Sequence, residues 1–394
     1  MIGRDCDIAI IGGGLAGGLI ALALAQLRPD LAVRLIEAGD RIGGNHRWSW
    51  FASDLTPAGN ALLAPFRKAA WDAGYTVKFP GHARQLPTPY QSLDSADFAA
   101  ALGRELPPGT ILTGHEVTAV DAGGASFADG SRISARAVID CRGFAPTPHL
   151  AGGWQVFMGR HMRLDAPHGL TRPVIMDADL TQHGGYRFVY VLPLGANEVF
   201  IEDTYYQDTP QLDRSALSAR IDAYAEAQGW RGEPLHFETG VLPVITGGDF
   251  ARWQDELRIP GVARAGARGG FVHPLTSYTM PFAVAAALEI AAEADLPGDQ
   301  LAAKLEARGR AHWAQTGFYR MLGRMLFGAA LPEQRWRIFA RFYRLDPGLI
   351  ERFYAGQSTF ADRARVLIGK PPVPLGRAIN ALISGPPPLA KEHL

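Results

Sequence analysis

The order of apolar and polar positions near the N-terminus predicts a strand, a turn, a helix and a second strand. Residues 7–11 (DIAII) form a short, nearly unbroken apolar run, as in a strand buried on both faces of a parallel sheet. Residues 15–27 are apolar over helical length, and residues 32–36 form a second apolar strand that stops at Glu37. Further on, residues 116–120, a hairpin turning at Asp129-Gly130, and an apolar strand at 137–139 closing on Asp140-Cys141-Arg142-Gly143 predict a β-meander. A strand and turn at 262–266 lead through Arg268-Gly269-Gly270 and His273-Pro274 into an apolar helix over 281–294. Between these, from about 152 to 260, the strand-like runs 186–192, 198–203 and 236–244 predict a mostly antiparallel sheet. After Leu301 the pattern becomes helical, and the proline clusters at 371–374 and 386–388 predict a frayed end.

The turn between the first strand and helix carries Gly12, Gly14 and Gly17 in G-x-G-x-x-G spacing. The first glycine permits the tight turn, the second lets the backbone approach a pyrophosphate, and the third lets helix and strand pack closely. The helix N-terminus then faces the phosphate charge, and Glu37, about twenty residues on, is the acid placed for a ribose hydroxyl. The expected fold is α/β, with a Rossmann-type dinucleotide-binding domain formed by 1–150 and 261–300. Residues 151–260 would form an antiparallel β substrate domain, and 301–394 a helical C-terminal region. FAD is expected over NAD because the meander and the 262–294 segment supply the further contacts that a flavin needs.

Composition narrows the partners. Lysine plus arginine equals aspartate plus glutamate at 39 each, so no global charge draws the chain to nucleic acid. Two cysteines, Cys6 and Cys141, without a ligand cluster argue against a disulfide scaffold or a metal site. The apolar stretch 8–27 is read as neither signal peptide nor span, because Asp5 and Asp7 precede it and five glycines interrupt it. The segment 318–370 is locally basic, with ten Lys/Arg against Glu333, Asp346, Glu351 and Asp362. Phe318, Tyr319, Leu322, Met325, Leu326 and Phe327 lie beside these cations, so this segment reads either as a helix lying on an anionic bilayer or as a core helix with a solvated basic face.

The run from Glu37 to His46 (EAGDRIGGNH) followed by Trp48-Ser49-Trp50 resembles the bacterial FAD-dependent lycopene β-cyclases. So do Trp154 to Phe157, Pro173 to Asp177, Tyr186-Arg187-Phe188, Phe200 to Tyr206, Gly240 to Val244, Arg268 to Tyr278, Arg335-Trp336-Arg337 and Arg341 to Arg344. The resemblance covers almost the whole chain in order. It departs at Cys141, where a smaller residue is usual, and at Ser277, where glycine is usual.

The resemblance implies a flavoprotein hydroxylase-like fold and cyclisation of the ψ ends of lycopene, through γ-carotene, without net redox change. It implies reduced FAD, with NAD(P)H as electron source. It also implies a cytoplasmic enzyme held at the inner face of the membrane, with possible contact with other carotenoid enzymes. His46, Val117, Gly266, Gly269 and Gly270 join the glycine motif and Glu37 as cofactor-binding candidates. The critical acid is implied within Phe200 to Thr204, where alternation puts Glu202 on one face and Asp203 on the other. Both acids are catalytic candidates, Glu202 the stronger, and Tyr205 and Tyr206 are candidate π faces for a cation. The competing reading is an FAD monooxygenase or desaturase acting on a hydrophobic isoprenoid.

Overall fold

The computed structural model describes residues 4–369 and 373–390. The first strand, Cys6–Ile11, lacks polar alternation because its neighbours cover both faces. It pairs in parallel with Val33–Ile36 and with Arg132–Asp140, and Ile111–Leu112 and Val262–Arg264 extend the two sides. Arg132–Asp140 also runs antiparallel to Gly124–Phe127, which pairs with Val117–Asp121 to complete the meander. Helices Leu15–Leu27 and Met280–Ala292 are apolar almost throughout because they share one core on this sheet.

The second sheet has eight strands and is built on the 18-residue strand Thr147–Leu164. Antiparallel neighbours Glu198–Gln207 and Gly232–Gly248 flank it, and Tyr186–Gly195 and Val174–Asp177 continue the order. Beyond them lie Tyr75–Phe79 and His82–Leu86. Residues 75–86, assigned by sequence to the dinucleotide domain, therefore belong to the second sheet, through the pairing of Tyr75–Phe79 with Val174–Asp177. Arg47–Phe51, Ala69–Trp71 and Tyr90–Asp94 form a small sheet that links the two cores, with Trp50 in one and Phe51 in the other.

The C-terminal region decides between two open readings and corrects one expectation. From helices Gly317–Ala329 and Trp336–Phe342 and the turn after them, Tyr319, Leu326, Phe339 and Tyr343 enter the same core as Tyr186 and Tyr206. This basic and aromatic block therefore packs on the sheet and is not a bilayer-inserting face. Its buried Arg335 donates to the carbonyls of Tyr206, Leu326 and Phe327 and pairs with Asp208 at 2.6 Å. Pro388–Leu389 is not frayed: it pairs with Thr147–Leu164 and buries Leu389. Pro371 and Pro372 lie outside the described residues. Among the described residues, no helix is long and apolar enough to cross a membrane.

Candidate active site

Helices Leu15–Leu27 and Met280–Ala292 begin at one cavity of about 610 Å³, lined at this end by Gly14, Leu15, Thr279 and Met280. Neither helix has a side-chain cap, so their first N–H groups are free to face an anionic ligand. The three motif glycines differ in what requires them. Gly12 has φ +104°, and a Cβ there would meet the Cys141 carbonyl at 2.8 Å. A Cβ at Gly17 would lie 2.0 Å from the Gly12 carbonyl, which is the close helix–strand contact. Gly14 has no protein atom within 4 Å of its would-be Cβ and lines the cavity, so the space it leaves is open to a ligand. Glu37 accepts from the N–H groups of Gly13 at 2.7 Å and Gly39 at 2.8 Å, beside the turn and off the cavity wall.

The remaining cofactor candidates separate. His46 is exposed and lines the cavity, and Gly266 lines it with φ +60°. Gly269 and Gly270 do not line it: Gly269 clears the Arg264 carbonyl, and Gly270 makes room for Phe250. Val117 starts the meander and packs against the first sheet, also away from the cavity. Arg268, with Arg142, pairs with the buried Asp140, which fixes the end of strand Arg132–Asp140.

At its other end the cavity reaches the second sheet. Glu202 lines it, and Asp203 faces the opposite side. Asp203 is fully buried, accepts from Arg187 at 2.7 Å and from the Tyr205 hydroxyl at 3.0 Å, and packs with that helix-covered face. Tyr205 therefore serves the ion pair. Tyr206 packs at a tilt against Tyr186 and Phe339, and neither Tyr205 nor Tyr206 lines the cavity, so the expectation that they face a cation is not met. The aromatic walls come instead from Trp48, Tyr90, Trp154, Tyr190, Phe200 and Tyr278. Burial holds the phenols of Tyr190 and Tyr278 well above their ordinary pKa, so both present neutral rings.

Glu202 is open only toward the cavity and accepts a 2.7 Å hydrogen bond from the Thr204 hydroxyl. Burial pushes its pKa up to about 7, opposed by the bond from Thr204. A second acid, Glu238 on Gly232–Gly248, is buried against it and raised well above the ordinary value, by burial first and by Glu202 next. Sequence reasoning missed Glu238, because its strand was visible but its register against Glu202 was not. The nearby guanidinium, Arg47, is held by Asp94 at 2.9 Å. A weak acid kept protonated near neutrality beside π-rich walls can protonate an alkene and stabilise the cation formed.

Ser277, also in the wall, has φ +57° and is the sole non-glycine residue with positive φ among the described residues. Its hydroxyl donates to the Pro243 carbonyl at 2.9 Å, which offsets part of the cost of a backbone shape that favours glycine. The substitution at the family's glycine position thus keeps a left-handed backbone.

The model of the lycopene cyclase protein family matches residues 7–380. The chain is 45% identical to the lycopene beta-cyclase of Pseudescherichia vulneris, over 96% of this chain and 97% of that one. It is 43% identical to the lycopene beta-cyclase of Paracoccus sp. strain N81106, over 98% and 99%. Among solved structures, a geranylgeranyl bacteriochlorophyll reductase-like protein from Thermoplasma acidophilum superposes with a TM-score of 0.59 at 14% identity, covering 96% of this chain and 98% of that one, a likeness of fold alone. On the match along nearly its full length, the chain belongs to the lycopene cyclase family.

Proposed function

We propose that this chain cyclises the acyclic ψ ends of lycopene to β-ionone rings, through γ-carotene, as a lycopene β-cyclase with no net redox change. The observation that carries the reading is that one cavity joins the Gly14 turn to the Glu202 carboxyl. A cofactor held at the first end then lies within the space that a protonated alkene occupies at the second.

FAD suits the first end. Gly14, the two uncapped helix N-termini and Gly266 would hold it, with His46 at the rim and Glu37 shaping the turn. When bound in its reduced form, kept so by NAD(P)H, FAD supplies negative charge beside the reaction centre. Glu202 is the general acid. Its proton goes to the terminal double bond, the neighbouring double bond attacks the tertiary cation, and a proton lost from the new ring restores the π bond. Tyr190, Tyr90 and Trp154 offer π faces to the cation, and the enclosed walls keep out water that would trap it as an alcohol.

A carotenoid has no useful aqueous concentration, so the enzyme takes it from a bilayer. Support comes from helices Phe360–Leu367 and Leu375–Ile383, where Phe360 is 89% exposed and Leu375, Ile379 and Ile383 are also exposed, beside the exposed Arg365 and Arg377. The deciding experiment is anaerobic incubation with lycopene in liposomes and chemically reduced FAD, followed by chromatography and mass analysis. Isomers of unchanged mass with β rings are expected. In a parallel incubation with air and oxidised FAD, added oxygen or lost hydrogen would instead mean a monooxygenase or a desaturase.

A further inference from the structure

We propose that Glu238 is a positioning residue that shares a proton with Glu202 over Gly159, so that the two carboxyl groups act as one acid. The inference rests on the cyclase reading for its consequence, and on the sheet alone for its existence.

Strand Thr147–Leu164 lies between the strands that carry the two acids. Gly159 is the register partner of Glu202 on one side and of Glu238 on the other. Residues directly opposite in an antiparallel sheet point to the same face, so both acids stand on the face that Gly159 leaves bare. Their Cα atoms are two strand spacings apart, about 9.5 Å, a gap that two glutamate side chains leaning inward can close. The space needed is kept by the glycine: a Cβ at 159 would lie 2.3 Å from the Phe200 ring and 2.9 Å from Glu238 Cγ. The two carboxyl groups are near enough across it that the Glu202 charge is, after burial, the largest influence raising Glu238.

The surroundings do not neutralise two anions. On the strand of Glu202, Thr204 donates to it and Asp203 faces away with Arg187. From the small sheet, Arg47 contributes positive charge but is held by Asp94, and its guanidinium lies 5.3 Å over the Phe200 ring. Tyr190, the register partner of Glu202 on the next strand, and Tyr90 and Tyr278 beyond it are neutral phenols. His161, two residues along from Gly159, pairs with Glu198 at 3.2 Å. Two touching carboxylates in such a place cannot both ionise near neutrality, so the pair retains a proton. Burial raises Glu202 to about 7 against the opposing effect of Thr204 and Glu238, and it raises Glu238 well above its ordinary value, with the Glu202 charge adding to that rise.

Glu238 is buried and does not line the cavity, so it reaches the substrate only through Glu202. In the doubly protonated pair the Glu202 proton forms the new C–H bond, and the one proton that remains, on Glu238, is then shared with the carboxylate left behind. The proton released when the ring double bond forms returns to the pair, leaving no net change in protons or electrons.

The test is an infrared pH titration of the carboxyl groups in substrate-free holoprotein, comparing wild type, Glu202→Gln and Glu238→Gln, together with pH–rate profiles for lycopene cyclisation. Wild type should show two coupled ionisations, and the higher one should vanish in either single variant. Glu238→Gln should lower kcat at least tenfold and simplify the pH profile, with KM for lycopene and flavin occupancy held within twofold. If Glu238→Gln does not fold, Glu202→Gln decides alone, because a Glu238 that titrates as in wild type after that change overturns the proposal. An unchanged pH profile in Glu238→Gln also overturns it. Coupled ionisations in a wild-type protein that fails to cyclise lycopene would uphold the pair and remove the cyclase reading.

Discussion

The two faces of strand Glu198–Gln207 treat a buried carboxyl in opposite ways. On one face Asp203 has a guanidinium at 2.7 Å, a phenol hydroxyl at 3.0 Å and an enclosing helix. On the other, Glu202 has a threonine hydroxyl, a second acid and an apolar cavity. Burial raises both pKa values, but beside Asp203 a paired guanidinium and a phenol hydroxyl oppose that rise, whereas among the described residues no ion pair is formed by Glu202. Burial is common to both, so what separates a structural acid from a reactive one here is whether a cation is supplied with it.

The largest effect should come from removing the acid on the cavity face. Glu202→Gln keeps shape and removes the proton, so cyclisation should fall by about 10²–10⁴, the usual contribution of a general acid. The same variant should gain stability at high pH. The folded-state pKa of Glu202 is raised from 4.5 to about 7, so the folded protein binds more protons than the unfolded chain in that window. Wild-type stability therefore falls as pH rises from 4.5 to 7, and at pH 8 the variant should be the more stable by up to about 3 kcal/mol. Denaturant unfolding at pH 4 and pH 8 measures this. A wild-type turnover number in the variant would show that the proton comes from elsewhere.

On the opposite face the sign reverses. Asp203→Asn leaves Arg187 buried without its counter-charge, which should cost about 3–5 kcal/mol of stability. Turnover per folded, flavin-loaded molecule should stay within a few-fold of wild type. A stable Asp203→Asn protein that binds flavin but does not cyclise lycopene would erase the distinction between the faces.

That distinction was legible in part. Period-two alternation around Glu202 and Asp203 is local, and so is the glycine turn at Gly12, Gly14 and Gly17, so sequence alone placed both. Glu238 was not legible because its meeting with Glu202 is set by two strand registers through Gly159, long-range information that no short run contains. The strand Thr147–Leu164 was obscured for a related reason: Gly152, Gly153 and Gly159 break its apolar pattern, and Phe327 and Phe200 fill two of the gaps from elsewhere. Helix Gly317–Ala329 was left undecided for a different reason. Its aromatic and basic stripe fits a bilayer or a sheet equally well, and only the position of Tyr186 and Tyr206 decides for the sheet.

A third prediction uses pH to compare the faces in one protein. The rate of a single cyclisation turnover should fall as pH rises past about 7, because the reactive form of Glu202 is the protonated one. Asp203 should leave no corresponding limb, since it does not line the cavity. Rapid-quench measurements from pH 5.5 to 9, with reduced flavin occupancy checked at each point, would show this. A rate that is flat across the range would mean that Glu202 does not carry the transferred proton.

The smallest expected effect sharpens the comparison most, because it alters one hydrogen bond without changing any charge. Thr204 is fully buried on the same face as Glu202 and donates to its carboxylate at 2.7 Å, which lowers the pKa that burial has raised. Thr204→Val keeps the branched shape and removes the donor. A hydrogen bond to a charged group contributes about 1.5 kcal/mol, so the descending limb should move up by about one pH unit. Below pH 7 the rate should barely change, because Glu202 is already protonated there; near pH 8 the variant should be several-fold faster than wild type. If the limb moves down, the hydroxyl must favour the protonated carboxyl, and the balance on this face would be set by Glu238 and burial alone. If it does not move, the limb belongs to another group, and Glu202 loses its claim to the proton.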